Sequence, residues 1–434
     1  MEQLIEKIRE AGVVGAGGAG FPTHVKLDCK AECLIVNGME CEPLLRTDRH
    51  IMELHAGEIV HTVLLIKKHL GAKRAVIALK KHYARAADAL RKSIGNARVE
   101  LYLSDSFYPA GDEQNLVYRI TGRTVPTGGI PLDVGAVVSN VGTVLNIAGA
   151  LAGKPVVDKM VTVAGSVRNP VTLTVPIGTP LQELLDAAGG AAGDCTYIIG
   201  GPLMGKITDD LSQPVTKTTG GLLAIGRDHI LLAKKAGNPE RDRMLAAAVC
   251  CQCSMCTQMC PRNAMGLNVQ PHKAMRAFAS GDDRLIGDAN GAFSCCDCGV
   301  CTYFACNFGL KPSQAMQRVK AKLQRGGIRP VKEVRFPADG GIENKRIPTG
   351  RLMQRLDLKR LDHDAPIGEF HPVAAVRIPL KMHIGSPSKP VVSEGQAVAR
   401  GQLIADLSKL SAKIHASIDG TVTRVTDEFI EIRK

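Results

Sequence analysis

Two runs of four cysteines constrain this chain more than any other feature. The first, Cys250-x2-Cys253-x2-Cys256-x3-Cys260-Pro261, and the second, Cys295-x2-Cys298-x2-Cys301-x4-Cys306, share their first three positions. Three thiolates at i, i+3 and i+6 on a tight loop can face three irons of one 4Fe-4S cube, and Pro261 stops the chain from continuing the loop. A structural zinc takes two separated pairs, so the triple spacing argues against it. The second run carries one extra residue before its last cysteine and Asn307 in place of the proline, so spacing defines its fourth ligand less tightly. Cys251 and Cys296 fall out of register and read as non-ligands. Cys29, Cys33 and Cys195 lack spaced partners and read as small buried hydrophobes.

In two-cluster ferredoxins the last cysteine of each run serves the other cube. That rule groups Cys250, Cys253 and Cys256 with Cys306, and Cys295, Cys298 and Cys301 with Cys260, bringing two 4Fe-4S clusters close enough to exchange electrons. The start of the chain, Met1 to Gly12, reads as an amphipathic helix rather than a signal peptide, and no stretch approaches the roughly 18 apolar residues of a membrane span. Fourteen cysteines in such a chain point to a reducing, cytoplasmic setting.

At 434 residues the chain needs three or four modules. Residues 1–155 alternate helical and strand patterns: Leu34 to Val36, Arg74 to Leu79 and Val99 to Leu103 read as buried strands of a mostly parallel sheet. Glu53 to Leu70 (Leu54, Ile59, Val63, Ile66) and Ala84 to Ile94 read as its helices. Residues 156–235 turn β-rich, with strands at Val161 to Val163, Val171 to Val175 and Tyr197 to Ile199 and a helix at Pro180 to Ala188. Residues 240–326 hold ten of the cysteines and helical spacing at Pro271 to Ala279 and Pro312 to Leu323. Residues 327–370, dense in Pro, Gly and charge, read as a linker, and 371–434 as a compact all-β end module. The fold class expected is multidomain α/β plus α+β.

A glycine-rich loop, Gly15, Gly17, Gly18 and Gly20, follows the first helix and could let backbone amides approach a phosphate or a flat ring. Alone it is as compatible with a tight turn, and it is not the dinucleotide fingerprint. With Lys26, then Asn37-x2-Glu40-Cys41-Glu42-Pro43 and Asp48-Arg49, it resembles the flavin-carrying subunit of respiratory complex I, and RnfC more closely. Tyr108-Pro-Ala-Gly111-Asp112-Glu113, Gly122-Arg-x-Val-Pro-x-Gly-Gly129 and Val138-Ser139-Asn140-Val141-Gly142-Thr143 are similar to further RnfC motifs in the same order. The resemblance implies a Rossmann-like flavin domain holding FMN, with Gly15, Gly17, Gly18, Gly20, Lys26, Asn37, Glu40, Glu42, Tyr108, Gly111, Asp112, Glu113, Ser139, Asn140 and Thr143 on the cofactor-binding positions. Amides and Lys26 suit a dianionic phosphate, and Asn37 and Asn140 a polar ring edge. The bland alternative for Glu40 and Glu42 is a solvated strand end.

The resemblance extends further: residues 156–235 look like a soluble-ligand-binding β-grasp domain, 240–326 like a helical dicluster ferredoxin, and 371–434 like the barrel-sandwich domain that opens RnfC, here closing the chain. That order is the arrangement of the cobalamin reductases of diol-degrading bacterial microcompartments. It implies an electron-transfer flavoprotein that takes electrons from NADH through FMN and two 4Fe-4S clusters to a corrinoid, with no side-chain acid or base of its own. The partners implied are NADH, a corrinoid or corrinoid adenosyltransferase and an iron-sulfur shell protein, and the location implied is inside or at the shell of a microcompartment. The rivals are an RnfC-like subunit of a membrane ion pump and a non-enzymatic electron conduit. The base-off corrinoid motif Asp-x-His-x-x-Gly is absent; Asp48-Arg49-His50-Ile51-Met52-Glu53 comes nearest and ends in Glu. Lys409 lies about where a lipoyl lysine would sit but lacks its flanks. The formal charge of +13 falls to roughly +7 once clusters and flavin phosphate are counted. With no Trp, that balance supplies no stacking platform for nucleic acid.

Overall fold

A computed structural model of the protein describes residues 2–434. The apolar runs of the first module become strands β1 (Cys33–Gly38), β2 (Arg74–Lys80), β3 (Glu100–Ser104), the short β4 (Phe107–Tyr108) and β5 (Ala136–Asn140). Four of them form a parallel sheet in the order β3-β2-β1-β5. Leu34, Ile35 and Val36 are wholly buried, as a parallel strand covered on both faces requires. Helices α1 (Glu2–Glu10), α2 (Thr23–Leu27), α3 (Thr47–Leu54), α4 (Ala56–Leu70), α5 (Ala84–Ile94), α6 (Glu113–Thr121) and α7 (Val141–Leu151) supply the cover. Ile59, Val63 and Ile66 of α4 pack with Val144 and Ile147 of α7 on one face, and Leu116 and Val117 of α6 with Ile35 and Val138 on the other.

The single helix expected from Glu53 to Leu70 is instead two. His55 ends α3 and precedes α4 with a ψ of 25°, and the turn swings Leu54, read as part of the buried stripe, out to 59% exposure. From β1 the chain crosses to β2 on one side, while β5 returns on the other. The carboxyl ends of β1 and β5 therefore form a switch point, where open α/β sheets take their ligands, and Asn37 and Asn140 stand side by side there in register.

The second module has strands β6 (Asp158–Gly165), β7 (Val171–Pro176), β8 (Cys195–Ile199), β9 (Lys206–Thr208) and β10 (Gly221–Gly226) in a mixed sheet, order β7-β6-β10-β8-β9. The helix Leu181–Ala187 lays Leu181, Leu184 and Leu185 against Val161, Val163 and Leu222. In the cysteine segment, helices Pro239–Val249, Pro271–Ser280 and Pro312–Arg325 each open on a proline, where the missing N–H costs nothing.

The later part of the stretch expected as a linker is built into the core, while Ile328, Val331, Val334 and Phe336 before it stay exposed. Strand β11 (Ile347–Pro348) pairs with β4, and the helix Thr349–Arg355 that follows, with Leu356, Leu358 and Leu361, buries its leucines against Tyr108, Leu203 and Tyr303. At seven residues that helix is under two turns, too short for its periodicity to stand out. Strands between Ala375 and Arg433 form a four-stranded and a three-stranded sheet. Their apolar residues, Ile378, Ile404 and Ile430 among them, belong to the same buried cluster as α4 and α7. The architecture is multidomain and mixed α/β.

Candidate functional site

After α1 the chain makes the glycine loop, closed by a bridge between Val14 and Pro22 and by the Gly15 amide donating to the Phe21 carbonyl at 3.0 Å. Gly18 and Gly20 take φ of +61° and +67°, where a side chain is strained. A Cβ on Gly17 or Gly18 would meet nothing within 4 Å, whereas one on Gly20 would lie 2.7 Å from Thr218 and 3.3 Å from His383. One side of the loop is open and the other is braced. The bracing comes from four segments. The Ala16 amide donates to Thr143 Oγ1 (2.9 Å) on α7, Lys159 Nζ from β6 donates to the Ala16 carbonyl (2.6 Å), and the Ile384 amide from the end module donates to the Ala19 carbonyl (2.8 Å). Buried Lys217 adds bonds to the carbonyls of Gly12 (2.6 Å) and Lys413 (2.8 Å). A flat ring fits an open glycine face held rigidly from behind, so the residues present suit a flavin.

The polar residues of the switch point surround this loop. Asn140 caps α7 through the Gly142 amide (2.8 Å) and donates from Nδ2 to Asp48 (2.9 Å). Asn37 donates to the Gly111 carbonyl at 2.9 Å, and a Cβ on Gly111 would press to 3.0 Å from both Cys41 Sγ and Met39 Cβ. Ser139 and Thr143 are buried beside them. Lys26 pairs with Glu113 at 3.0 Å, both side chains open to solvent.

Glu40 and Glu42 are not a solvated strand end. Glu40, 7% exposed and at φ +39°, accepts from the Thr47 hydroxyl and the Asp48 amide, both at 2.9 Å, and so holds the start of α3. Glu42 accepts from the amides of Leu203 (2.8 Å) and Met204 (2.9 Å) in the second module, and burial pushes its carboxyl up to about 7. Sequence reasoning gives no role to four buried groups here. Lys80 donates to the Glu40 carbonyl (2.9 Å), and burial holds its ammonium below the usual lysine range. Lys159 is brought to about 8 by burial, opposed by Asp48, and burial raises the Asp48 carboxyl. The Cys41 thiol accepts from the Gly111 amide at 2.6 Å and is pushed up to about 12 by burial. A lone lysine or aspartate carries no spacing signal.

Tyr108 and Asp112, grouped with the flavin positions by sequence, reach toward the cysteines. The Tyr108 hydroxyl, buried, donates to the Cys298 carbonyl at 2.8 Å. Asp112 caps α6 and takes a bidentate pair from Arg262, 2.6 Å from Nη2 and 2.8 Å from Nε, with both side chains under 10% exposed. Arg262 follows Cys260-Pro261 directly. Tyr303, between Cys301 and Cys306, donates to the Leu203 carbonyl (3.0 Å), beside the amide that Glu42 accepts.

The cysteines divide spatially. The neighbours that raise the Cys256 thiol to about 12, after burial itself, are Cys306, Cys250 and Cys253, and one cavity is lined by those four together with Phe308. Burial and then Cys295, Cys260 and Cys256 raise the Cys301 thiol. Among the described residues no three His, Cys, Asp or Glu side chains close around the position of a single ion. The extra residue of the second run is taken up by a π-helical turn, Cys301–Ala305, with the Cys306 amide donating to the Cys301 carbonyl at 3.1 Å. Cys298, Cys301, Cys260 and Cys256 are buried, while Cys253 and its neighbour Cys251 are exposed. Cys33 and Cys195 are buried and Cys29 partly so.

Comparison with known families matches residues 8–149 to the Nuo51 FMN-binding domain, 160–206 to the SLBB domain, 249–311 to a 4Fe-4S dicluster domain and 353–433 to the RnfC barrel sandwich hybrid domain. The chain is 40% identical over 436 residues to the cobalamin reductase PduS of Citrobacter freundii, covering 99% of this chain and 96% of that one. The PduS of Salmonella typhimurium matches at the same identity and coverage. A component of the Na(+)-translocating ferredoxin:NAD(+) oxidoreductase complex of Acetobacterium woodii is 37% identical over 276 residues, 62% of this chain and 60% of that one. FMN and 4Fe-4S clusters are the cofactors of these domains.

Proposed function

Since the chain belongs to the cobalamin reductase PduS family, within the RnfC and complex I flavin-subunit superfamily, we propose that this oxidoreductase carries electrons from NADH through FMN and two 4Fe-4S clusters to a corrinoid. One observation carries the reading: the loop 108–112 belongs at once to the flavin motifs and, through Tyr108 and Asp112, to the backbone and flank of the cysteine runs. Bound FMN exchanges a hydride for single electrons, and 4Fe-4S clusters carry those one at a time.

The chain's own residues do the positioning. Gly15, Gly17, Gly18 and Gly20 would present the open face, held by Thr143 and Lys159 from behind. Lys26 and the amides at the start of α7, with Ser139 and Asn140, favour an anionic phosphate. Asn37 fixes Gly111, and Glu113 orients Lys26. Cys250, Cys253, Cys256 and Cys306 would hold one cluster, and Cys295, Cys298, Cys301 and Cys260 the other. Tyr108 and Arg262 keep water from the second set.

The acceptor reading fits what happens to the nearest thing to a corrinoid motif. Asp48 is bonded to Asn140, and His50 Nε2 lies 2.9 Å from the Ala365 carbonyl, so neither is free for a ligand and any corrinoid contact is transient. A corrinoid, a corrinoid adenosyltransferase or an iron-sulfur shell protein of a microcompartment would receive the electrons. No helix among the described residues is long and apolar enough to cross a membrane. The barrel-sandwich domain follows the cysteine segment, and that domain order favours the cobalamin reductase reading over an RnfC-like role in a membrane pump. Steady-state oxidation of NADH by the anaerobically purified holoprotein, with any acceptor, is the test. Turnover is expected; its absence would leave a conduit fed by another protein.

A further inference from the structure

The two cysteine sets differ in what covers them, and the uncovered one has a distinct surround. The cavity bounded by Cys250, Cys253, Cys256 and Cys306 shares Met275 and Leu310 with a larger neighbouring cavity. The larger one has an apolar floor that includes Ala233, Ala236, Leu245 and Phe278, and carries Arg241 and Lys311. Around both lie large apolar side chains in solvent: Met244 at 58%, Phe308 at 49%, with Leu245 and Met255. Methionine adapts its shape to varied partners.

The charge around this patch is basic. Lys234 stands where Arg355 and Lys311 both act on its ammonium, near Cys306, and Arg355 donates to the Cys306 carbonyl at 3.3 Å. Asp242 is neutralised by Lys311 at 3.1 Å, leaving exposed Glu240 as the acid beside exposed Arg241 and Arg243. An apolar centre with a charged rim, small enough to release its partner, suits brief docking between electron carriers.

We propose that this face, centred on Met255 and Phe308 and rimmed by Lys234, Arg241 and Arg355, is where electrons leave the chain, and that its occupant is a protein presenting an acidic surface around an electron-accepting cofactor. The inference rests on the reading that both cysteine sets hold clusters, and it orders them: the set under Tyr108 and Arg262 is the entry and the open set the exit.

Binding of oxidised cytochrome b5, an acidic haem protein, and of cytochrome c, a basic one, to the anaerobic holoprotein tests this by calorimetry at low and moderate salt. Stopped-flow haem reduction by the dithionite-reduced protein is followed in parallel, so that no NADH step enters. Cytochrome b5 is expected to bind the more tightly, to weaken several-fold between about 20 and 150 mM salt by screening on the order of the Debye length, and to lose about tenfold in affinity and rate with the paired substitutions Lys234→Glu and Arg241→Glu. Equal binding of the two cytochromes, or no change in the charge-reversed protein, overturns the proposal. So does a variant that is impaired only toward free aquacobalamin, or one that has lost a self-association of the wild type; those results would assign the face to a small molecule or to a second copy. If the reduced protein shows no cluster signal in paramagnetic resonance, it is the underlying cluster reading that fails.

Discussion

Two cysteine runs of nearly the same spacing lead different lives in this molecule. The first ends in a 3-residue gap and begins toward solvent, with Cys253 exposed, but its last cysteine, Cys260, is buried beside the Arg262 that pairs with Asp112. The second ends in a 4-residue gap wound as a π turn and lies under the flavin-binding module, with Cys298 tied to Tyr108 and Tyr303 to the turn that Glu42 also grips. The contrast teaches that two runs of nearly one spacing take different surroundings, which residues distant in sequence set.

Removing a ligand from each run breaks the comparison most sharply. Cys298→Ala is expected to slow NADH-driven reduction of the remaining cluster by on the order of 100-fold, about 2.7 kcal/mol of added barrier. Cys253→Ala should leave flavin reduction and the other cluster signal in place. Rapid-freeze paramagnetic resonance distinguishes them, and equal losses in the two variants would erase the assigned order.

The ion pair gives an effect on stability rather than on rate. Asp112→Asn leaves the Arg262 charge buried without its carboxylate and should destabilise the protein by about 3–5 kcal/mol, read as a lowered urea midpoint. The double substitution Asp112→Leu with Arg262→Met should regain most of that, since replacing both charges removes the unpaired one. A fully additive result would mean that the two modules are not coupled through this contact.

Glu42 sharpens the comparison through pH. Its carboxyl stands at about 7 in the folded chain because burial penalises the charge, against about 4.3 when unfolded. Between those values the folded state holds a proton that the unfolded state releases, so stability falls as pH rises through that window. The two amides it accepts favour the carboxylate and already oppose the effect of burial at that value. Glu42→Gln should flatten the urea midpoint between about pH 4.5 and 7; an unchanged slope would mean that the carboxyl is ionised throughout.

The features legible in sequence share one property, that their partners are close in the chain. The strands at Leu34, Arg74 and Val99 and the helix Ala84–Ile94 follow from local apolar spacing, and Pro271 and Pro312 mark two helix starts. The glycine loop and the cysteine runs stand out because each needs several residues at short, fixed offsets. Asp112 meets Arg262 across 150 positions and Tyr108 meets Cys298 across 190, and no local pattern reports such a contact. Tyr108 and Asp112 therefore read as flavin positions only, and Glu40 and Glu42, placed with them, give no sign in sequence of the turns their carboxylates hold. The break at His55 is hidden because Leu54 continues the apolar spacing without being buried.

The amide of Ile384 and the side chain of Lys217 meet the first twenty residues of the chain from far downstream. Two segments hundreds of positions away in sequence thus share in holding one short turn. A disturbance confined to the end module is therefore expected to slacken the loop against which it leans.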